Sequence, residues 1–393
     1  MDPQASYIKE EPSKKVDEIV LEAIQKGASD IHFDPERESL NIRYRIDGVV
    51  YPAGYLDTYQ QEAITTRIKV ISGIKITEHR IPQDGHFEFK LNEKVYNIRV
   101  STLPTTYGET IVMRIFNRED ILIDLANLGM EEDQLSEISK LIATPSGMIV
   151  ITGPTGSGKT NLLYSILNSI NKEDKNIITI EDPIEYQMPI IRQVQINEDT
   201  GLDFPHVMRS VVRQDPDVVM IGEIRDKETA QMAVSAALTG VLILSTFHTF
   251  DVPALVSRLI EMGLSNTNIA QSIKAVISTR LVRKICPACK TSDTPNELEK
   301  KLLGTNAATP IYQGKGCNAC QNRRYLGRTG IFEIVSFDDD LRASIIERRP
   351  VIFINELLKK KVLKSLHVSG LNKVFSGITS MEEFIRVVGY SHL

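Results

Sequence analysis

An α/β fold is predicted for the larger part of this chain, with a smaller α+β domain ahead of it. Three observations carry this. From residue 132 on, apolar runs at 148–151, 177–180, 218–221 and 241–244 alternate with stretches of helical periodicity. A Gly-rich loop joins the first of these runs to a helix. Over the first hundred residues, by contrast, apolar and polar residues alternate in paired segments joined by turn residues. Strands alternating with helices build a mostly parallel sheet covered on both faces, whereas period-two alternation builds half-buried antiparallel strands.

Taken in order, residues 1–13 are polar and Pro-bearing, which predicts a flexible terminus. Val16, Ile19, Val20, Ala23 and Ile24 recur at helical spacing, and Gly27 fits the C-cap. Ile31 and Phe33, then Leu40, Ile42, Tyr44 and Ile46, alternate as strands, with Asp47-Gly48 as a turn. Residues 60–72 read as a second helix. Residues 87–91 and 95–100 read as a hairpin about Asn92-Glu93. These pieces make one α+β domain over residues 14–116. A charged stretch with Leu128-Gly129 predicts a linker at 117–131, and a second domain fills 132–393. It opens with a helix at about 132–143 and carries another at about 226–238. Residues 286–393 read as mainly helical around a cysteine-bearing loop region.

Composition narrows the class. The 393 residues are 42% hydrophobic and 25% charged, which suits a folded multi-domain protein and excludes disorder as the main state. Lys and Arg number 46 against 51 Asp and Glu, so the net charge of −5 disfavours a globally basic nucleic-acid binder. No run approaches the roughly 20 apolar residues of a spanning helix. Residues 1–15 lack the apolar core of a signal peptide, so a cytoplasmic protein is expected.

Gly153-Pro-Thr-Gly-Ser-Gly-Lys159-Thr160 fits the full phosphate-loop pattern. Gly153, Gly156 and Gly158 let backbone N–H groups turn toward phosphate oxygens, with Pro154, Thr155 and Ser157 completing the loop. The helix starting at Lys159 aims its positive end at the same charge. Lys159 is expected to reach the β/γ-phosphates, and Thr160 to hold Mg²⁺. The loop follows an apolar strand, and Leu162, Leu163, Ile166 and Ile170 line the helix after it. ATP with Mg²⁺ is the expected ligand.

Hydrolysis also needs acids at the neighbouring strand ends. Glu223 follows the run at 218–221 by two residues and is expected to polarise the attacking water. Asp217 precedes that run and is expected to serve in a turn. Glu181, Asp182 and Glu185 follow the run at 177–180, where carboxylates face the ligand edge of the sheet. A solvated acidic turn is the other reading of that cluster. His248 follows the run at 241–244 and is a candidate γ-phosphate sensor.

The four cysteines form two Cys-x-x-Cys pairs, Cys286/Cys289 and Cys317/Cys320. Two such knuckles suit a closed, structural Zn²⁺ site, the alternative being separate redox pairs. Residues 274–330 hold 11 Lys and Arg against 3 Asp and Glu. Such a patch reads either as a solvated face or as a surface for nucleic acid, anionic lipid or an acidic protein.

The sequence resembles the secretion ATPases of type II secretion and type IV pilus assembly over roughly residues 14–390. The matching motifs stand in the family's order. They include Ala28-Ser-Asp-Ile-His32, Arg43-Tyr-Arg-Ile-Asp-Gly48, Pro82-Gln-Asp-Gly85, Arg99-Val-Ser-Thr-Leu-Pro104 and the phosphate loop. Ile180-Glu-Asp-Pro-Ile-Glu185, Arg213-Gln-Asp-Pro-Asp217, Gly222-Glu-Ile-Arg225, Ser245-Thr-Phe-His-Thr249, the cysteine pairs and Gly327-Arg-Thr-Gly330 complete the set. The resemblance implies a RecA-like ATPase domain, preceded by a PAS-like domain and followed by a zinc-knuckle helical region at about 284–330. It implies catalytic roles for Glu223, Glu181, Glu185 and His248, and nucleotide contacts from Arg99, Arg114 and Arg328. It further implies a homo-hexamer that drives pilus or pseudopilus assembly through an inner-membrane platform protein. Asn161, Phe247 and Phe250 depart from the family's usual residues, and, with the resemblance starting near residue 14, the family's usual first N-terminal domain is expected to be missing. The alternatives are a retraction or DNA-uptake motor, a nucleic-acid-stimulated P-loop motor, or a nucleotide sensor that does not hydrolyse. The four cysteines favour assembly or secretion over retraction.

Overall fold

A computed structural model describes residues 12–117, 123–303, 310–362 and 364–389. The chain divides into two compact units, residues 1–120 and 121–393.

The first unit pairs helix α1 (Pro12–Gln25) and helix α2 (Thr58–Ile71) with six strands. These are β1 (Ala28–Pro35), β2 (Ser39–Ile46), β3 (Val49–Asp57), β4 (Gln83–Leu91), β5 (Lys94–Thr105) and β6 (Gly108–Asn117). Among the described residues they form one antiparallel sheet in the order β3-β2-β1-β6-β5-β4. Side-chain alternation sorts its two faces. Ile31, Phe33, Ile42, Tyr44, Ile98, Val100, Ile111 and Met113 are buried with Val16, Val20 and Ile64 of the helices. The intervening positions carry Asp30, His32, Arg43, Arg45, Arg99 and Arg114. In register, Arg114 lies opposite Asp30 on one side and Arg99 on the other. Of residues 1–13, expected as a flexible terminus, Pro12 and Ser13 belong to α1, and residues 1–11 lie outside the described residues.

The second unit opens with α3 (Glu132–Ile142), β7 (Gly147–Thr152), α4 (Lys159–Ile170) and β8 (Ile177–Glu181). Then come β9 (Arg192–Gln195), α5 (Phe204–Val211), β10 (Val218–Ile221), α6 (Lys227–Leu238) and β11 (Leu242–Phe247). The chain continues through α7 (Val252–Glu261), α8 (Asn266–Ser272), β12 (Ile273–Ile285), β13 (Lys290–Asp293), α9 (Glu297–Leu303), β14 (Ile311–Gly314) and β15 (Tyr325–Ser336). It ends in α10 (Asp339–Ile346), α11 (Val351–Lys361), α12 (Leu366–Phe375) and α13 (Met381–Val388). Seven strands form the main sheet, in the order β15-β12-β7-β11-β10-β8-β9, parallel throughout except for the β12–β15 pair. Both faces are covered, which is why the central strands read as unbroken apolar runs. Met148, Val150, Val219, Ile221 and Ile243 pack toward α5–α8. Ile149, Ile151, Val218, Met220 and Leu244 pack toward α3 and α4.

The C-terminal third corrects the helical expectation. Residues 286–393 contain β13, β14 and the twelve-residue β15 as well as helices. Gly327-Arg-Thr-Gly330 lies within β15, where Arg328, Thr329 and Gly330 pair with β12 and Gly327, at φ +73°, sits at a register irregularity between Tyr325 and Arg328. Of the expected linker, residues 118–122 lie outside the described residues. Residues 123–131 pack on the second unit: Leu125 and Leu128 lie against its core, and the Gly330 N–H donates to the Leu128 carbonyl at 2.8 Å.

Candidate functional site

The phosphate loop runs from the end of β7 into α4. Gly153 and Gly158 have φ of +149° and +91°, conformations that suit glycine alone. A Cβ at Gly153 would fall 2.5 Å from Ser157 Oγ and 2.7 Å from the Thr279 carbonyl. Strand β12 therefore backs the loop, and the Thr279 hydroxyl donates to the Ser157 carbonyl at 3.1 Å. The Ser157 hydroxyl itself is buried and without a hydrogen-bond partner among the described residues. Lys159 is buried, and its Nζ donates to the Gly153 and Pro154 carbonyls at 2.8 and 3.0 Å. Burial lowers its pKa; Glu223 opposes that shift and Arg280 adds to it.

Three parallel strand ends bring polar groups to this loop. Glu223 follows β10, and His248 follows β11. His248 Nε2 lies 3.1 Å from one Glu223 carboxylate oxygen, while Arg225 pairs with the other. His248 Nδ1 lies 3.5 Å from Lys159 Nζ. The Ser245 and Thr246 hydroxyls donate to the Ile221 and Gly222 carbonyls at 2.8 and 2.7 Å, holding the ends of β10 and β11 level. Asp217, expected to serve in a turn, lies at the other end of β10, where it accepts the Asn176 N–H at 2.7 Å and donates its own N–H to the Asn176 carbonyl at 2.9 Å, tying β10 to the start of β8.

Glu181 ends β8 and is buried. Thr179 Oγ1 and Gln193 Nε2 donate to its Oε1 at 2.6 and 3.1 Å, and the Tyr164 hydroxyl donates to its Oε2. A cavity of about 340 Å³ collects these parts. Thr155, Gly156, Gly158, Lys159 and Thr160 line it together with Glu181, Glu185, Glu223 and His248, and Arg328 enters from β15. The residues expected at the site are thus brought together in one unit, with two exceptions. Arg99 and Arg114 belong to the first unit, where Arg99 stacks over Phe116 at 4.2 Å and Arg114 donates to Asp30 at 2.9 Å.

Four residues near the site escaped the sequence reading as functional groups: Tyr164, Gln193, Arg225 and Arg280. Arg225 stands within a quoted motif, two residues past Glu223. Tyr164 sits on the apolar face of α4, where an aromatic reads as core; its hydroxyl is the only sign of more.

The cysteines converge as a second centre. All four Sγ atoms lie within 4.8 Å of one another. The Cys286–Cys317, Cys289–Cys320 and Cys317–Cys320 separations are 3.8, 3.9 and 3.8 Å. A disulfide would need about 2.05 Å. A tetrahedron of thiolates about 2.3 Å from Zn²⁺ has edges of about 3.8 Å, so this donor set fits the metal. Each pair is presented by a short 3₁₀ turn, Pro287–Cys289 and Asn318–Cys320.

A phosphate loop on a parallel sheet, with a glutamate and a histidine at the adjoining strand ends, defines a P-loop ATPase. The chain belongs to the family described as type II/IV secretion system protein, whose model matches residues 9–386. The type IV pilus assembly ATPase PilB of Myxococcus xanthus is 41% identical over 381 residues, covering 95% of this chain and 67% of that protein. Type II secretion system protein E of Dickeya dadantii is 40% identical over 372 residues, covering 95% and 74%. The fold matches the solved structure of the Legionella pneumophila ATPase DotB with a TM-score of 0.71 at 22% identity, over 98% of this chain and 96% of that one. The protein is accordingly an ATPase of the secretion and pilus-assembly kind. No helix among the described residues is long and apolar enough to cross a membrane.

Proposed function

We propose that this ATPase is the motor of pilus or pseudopilus assembly, working as a homo-hexamer on an inner-membrane platform protein. The convergence of Lys159, Thr160, Glu185, Glu223, His248 and Arg328 on one cavity carries the reading. Its pilus-assembly and type II secretion relatives, alike in identity and coverage, support both machines equally.

In the chemistry we propose, MgATP seats its phosphates on the loop N–H groups and the α4 N-terminus. Lys159 exchanges two carbonyl acceptors for phosphate oxygens. The Thr160 hydroxyl is the loop's ligand for Mg²⁺, which offsets phosphate charge when bound. Glu223 takes the proton of the attacking water. His248, within hydrogen-bond reach of Glu223 and near Lys159, couples the base to the γ-phosphate. Glu185 and Glu181 complete the acidic edge, with Glu181 acting through its neighbours because three protein donors hold it. Arg328, and Arg99 and Arg114 from the first unit, suit phosphate because guanidinium stays charged and meets two oxygens at once.

The domain limits 14–116 and 132–393 and the PAS-like nature of the first unit belong to this same reading. A sheet whose one face carries arginines while the other packs two helices supports it. Zn²⁺ held by Cys286, Cys289, Cys317 and Cys320 would brace the subdomain at about 284–330, with no open position for catalysis. Elemental analysis of the purified protein should find one zinc per chain; folded metal-free protein would remove this site. Lys159→Ala should abolish Mg²⁺-dependent phosphate release. Equal rates for that variant and the wild type would refute the site assignment.

A further inference from the structure

We propose that Tyr164 is the positioning residue of the ATP site, its hydroxyl tying the phosphate-loop helix to the acidic segment after β8. The proposal rests on the reading that Glu185 acts at the bound nucleotide.

Tyr164 lies five residues past Lys159 on α4 and is 1% exposed. Its hydroxyl makes three hydrogen bonds. It donates to Glu181, and it accepts the N–H groups of Glu185 and Tyr186 at 3.3 Å each. One proton and two lone pairs are the whole capacity of a hydroxyl, so this group is fully used. The direction is set by Glu181, which gathers donors from Thr179 and Gln193 as well. With its proton turned to Glu181, the phenol offers both lone pairs to the backbone of the next segment. Burial first, and then the charge of Glu181, raises the phenol pKa, so it remains a donor at working pH.

The consequence is mechanical. Lys159 and Thr160 stand at the start of α4, and Tyr164 is a turn and a half further along the same rigid helix. Glu185 lines the cavity that Lys159 and Thr160 line. Its backbone is pinned to α4 at one atom, so its carboxylate keeps register with the phosphate-binding groups. Glu181 holds the pin. Catalysis is sensitive to displacements of about 1 Å, and one such pin is enough to matter.

Tyr164→Phe removes only the hydroxyl and keeps the ring among its apolar neighbours. The test is a double-mutant cycle on kcat with Tyr164→Phe, Glu185→Gln and the pair. Fluorescent-nucleotide affinity and the thermal midpoint are measured alongside. Tyr164→Phe should lower kcat roughly ten- to a hundredfold with nucleotide affinity unchanged. The double variant should be no slower than the slower single one. Losses that multiply would overturn the pin and leave Glu185 its role. A wild-type rate for Glu185→Gln would instead remove the role on which the pin depends. A lower midpoint with kcat unchanged in Tyr164→Phe would reduce Tyr164 to a packing residue.

Discussion

Two charged clusters in the second unit look alike on paper and differ in physics. At the nucleotide cavity, Glu223 sits between Arg225 and His248, whose side chains are 64% and 54% exposed. Lys159 rests on two backbone carbonyls. About α13, Glu383 is fully buried and takes Arg283 Nε and Nη2 at 3.0 and 2.7 Å, Arg386 at 2.7 Å twice, and the Arg283 N–H at 3.0 Å. Arg283 also stacks on Tyr325 at 4.0 Å. The second cluster is closed around a fully buried carboxylate with its acceptors taken, Arg283 itself being almost buried and Arg386 reaching solvent. The first is open, and each of its contacts can be exchanged for a ligand atom. Exchangeability, and not the number of charges, marks the site that works.

The comparison breaks if the two glutamates behave alike. Glu223→Gln has the largest expected effect: kcat falls a hundredfold or more, while nucleotide affinity and the thermal midpoint stay at wild-type values. A drop in midpoint comparable to that of a core variant would make Glu223 structural. Glu383→Ala should do the reverse. Removing one partner of a buried network typically costs about 3–5 kcal/mol, read as a lower denaturant midpoint, with ATPase activity per folded molecule retained. Loss of activity in protein that remains folded would move Glu383 into the catalytic machinery.

The sequence carried one side of this contrast far better than the other. The phosphate loop was legible because a backbone wrapping phosphate demands glycine at fixed offsets. Strands β7 and β10 were legible because burial on both faces leaves an apolar run no other element explains. Glu223 was then legible from its place after β10. Glu383 was invisible: a Glu in an ordinary amphipathic helix gives no sign that Arg283, a hundred residues earlier, lies beside it. The same holds for β15, which nothing local separates from the helical expectation for residues 286–393 and which its pairing with β12 defines. Tyr164 was hidden differently, since helical periodicity assigns it to the core and is correct to do so. Its function lies in one atom. Arg99, Arg114 and Arg328 were named only through family resemblance, because a single arginine on a strand has no local signature.

The finest distinction between the clusters is their response to acid. Burial by itself would raise the Glu383 carboxyl, but hydrogen bonds from Arg386 and Arg283 outweigh it and leave the pKa below the usual value. A carboxyl with a lowered pKa in the folded state stabilises the fold above its unfolded pKa of about 4.3. That stability is lost as pH falls through the lower folded value. Glu383→Gln keeps the shape and removes the titration. Urea midpoints measured from about pH 6 down to about pH 2.5 should therefore fall less steeply below about pH 4 for the Gln variant than for the wild type, by up to one proton's worth of slope. Parallel curves would mean that the arginines gain no more from the ionised carboxylate in the folded state than water offers it in the unfolded one, and Glu383 would then be a packed acid and not the keystone of a closed network.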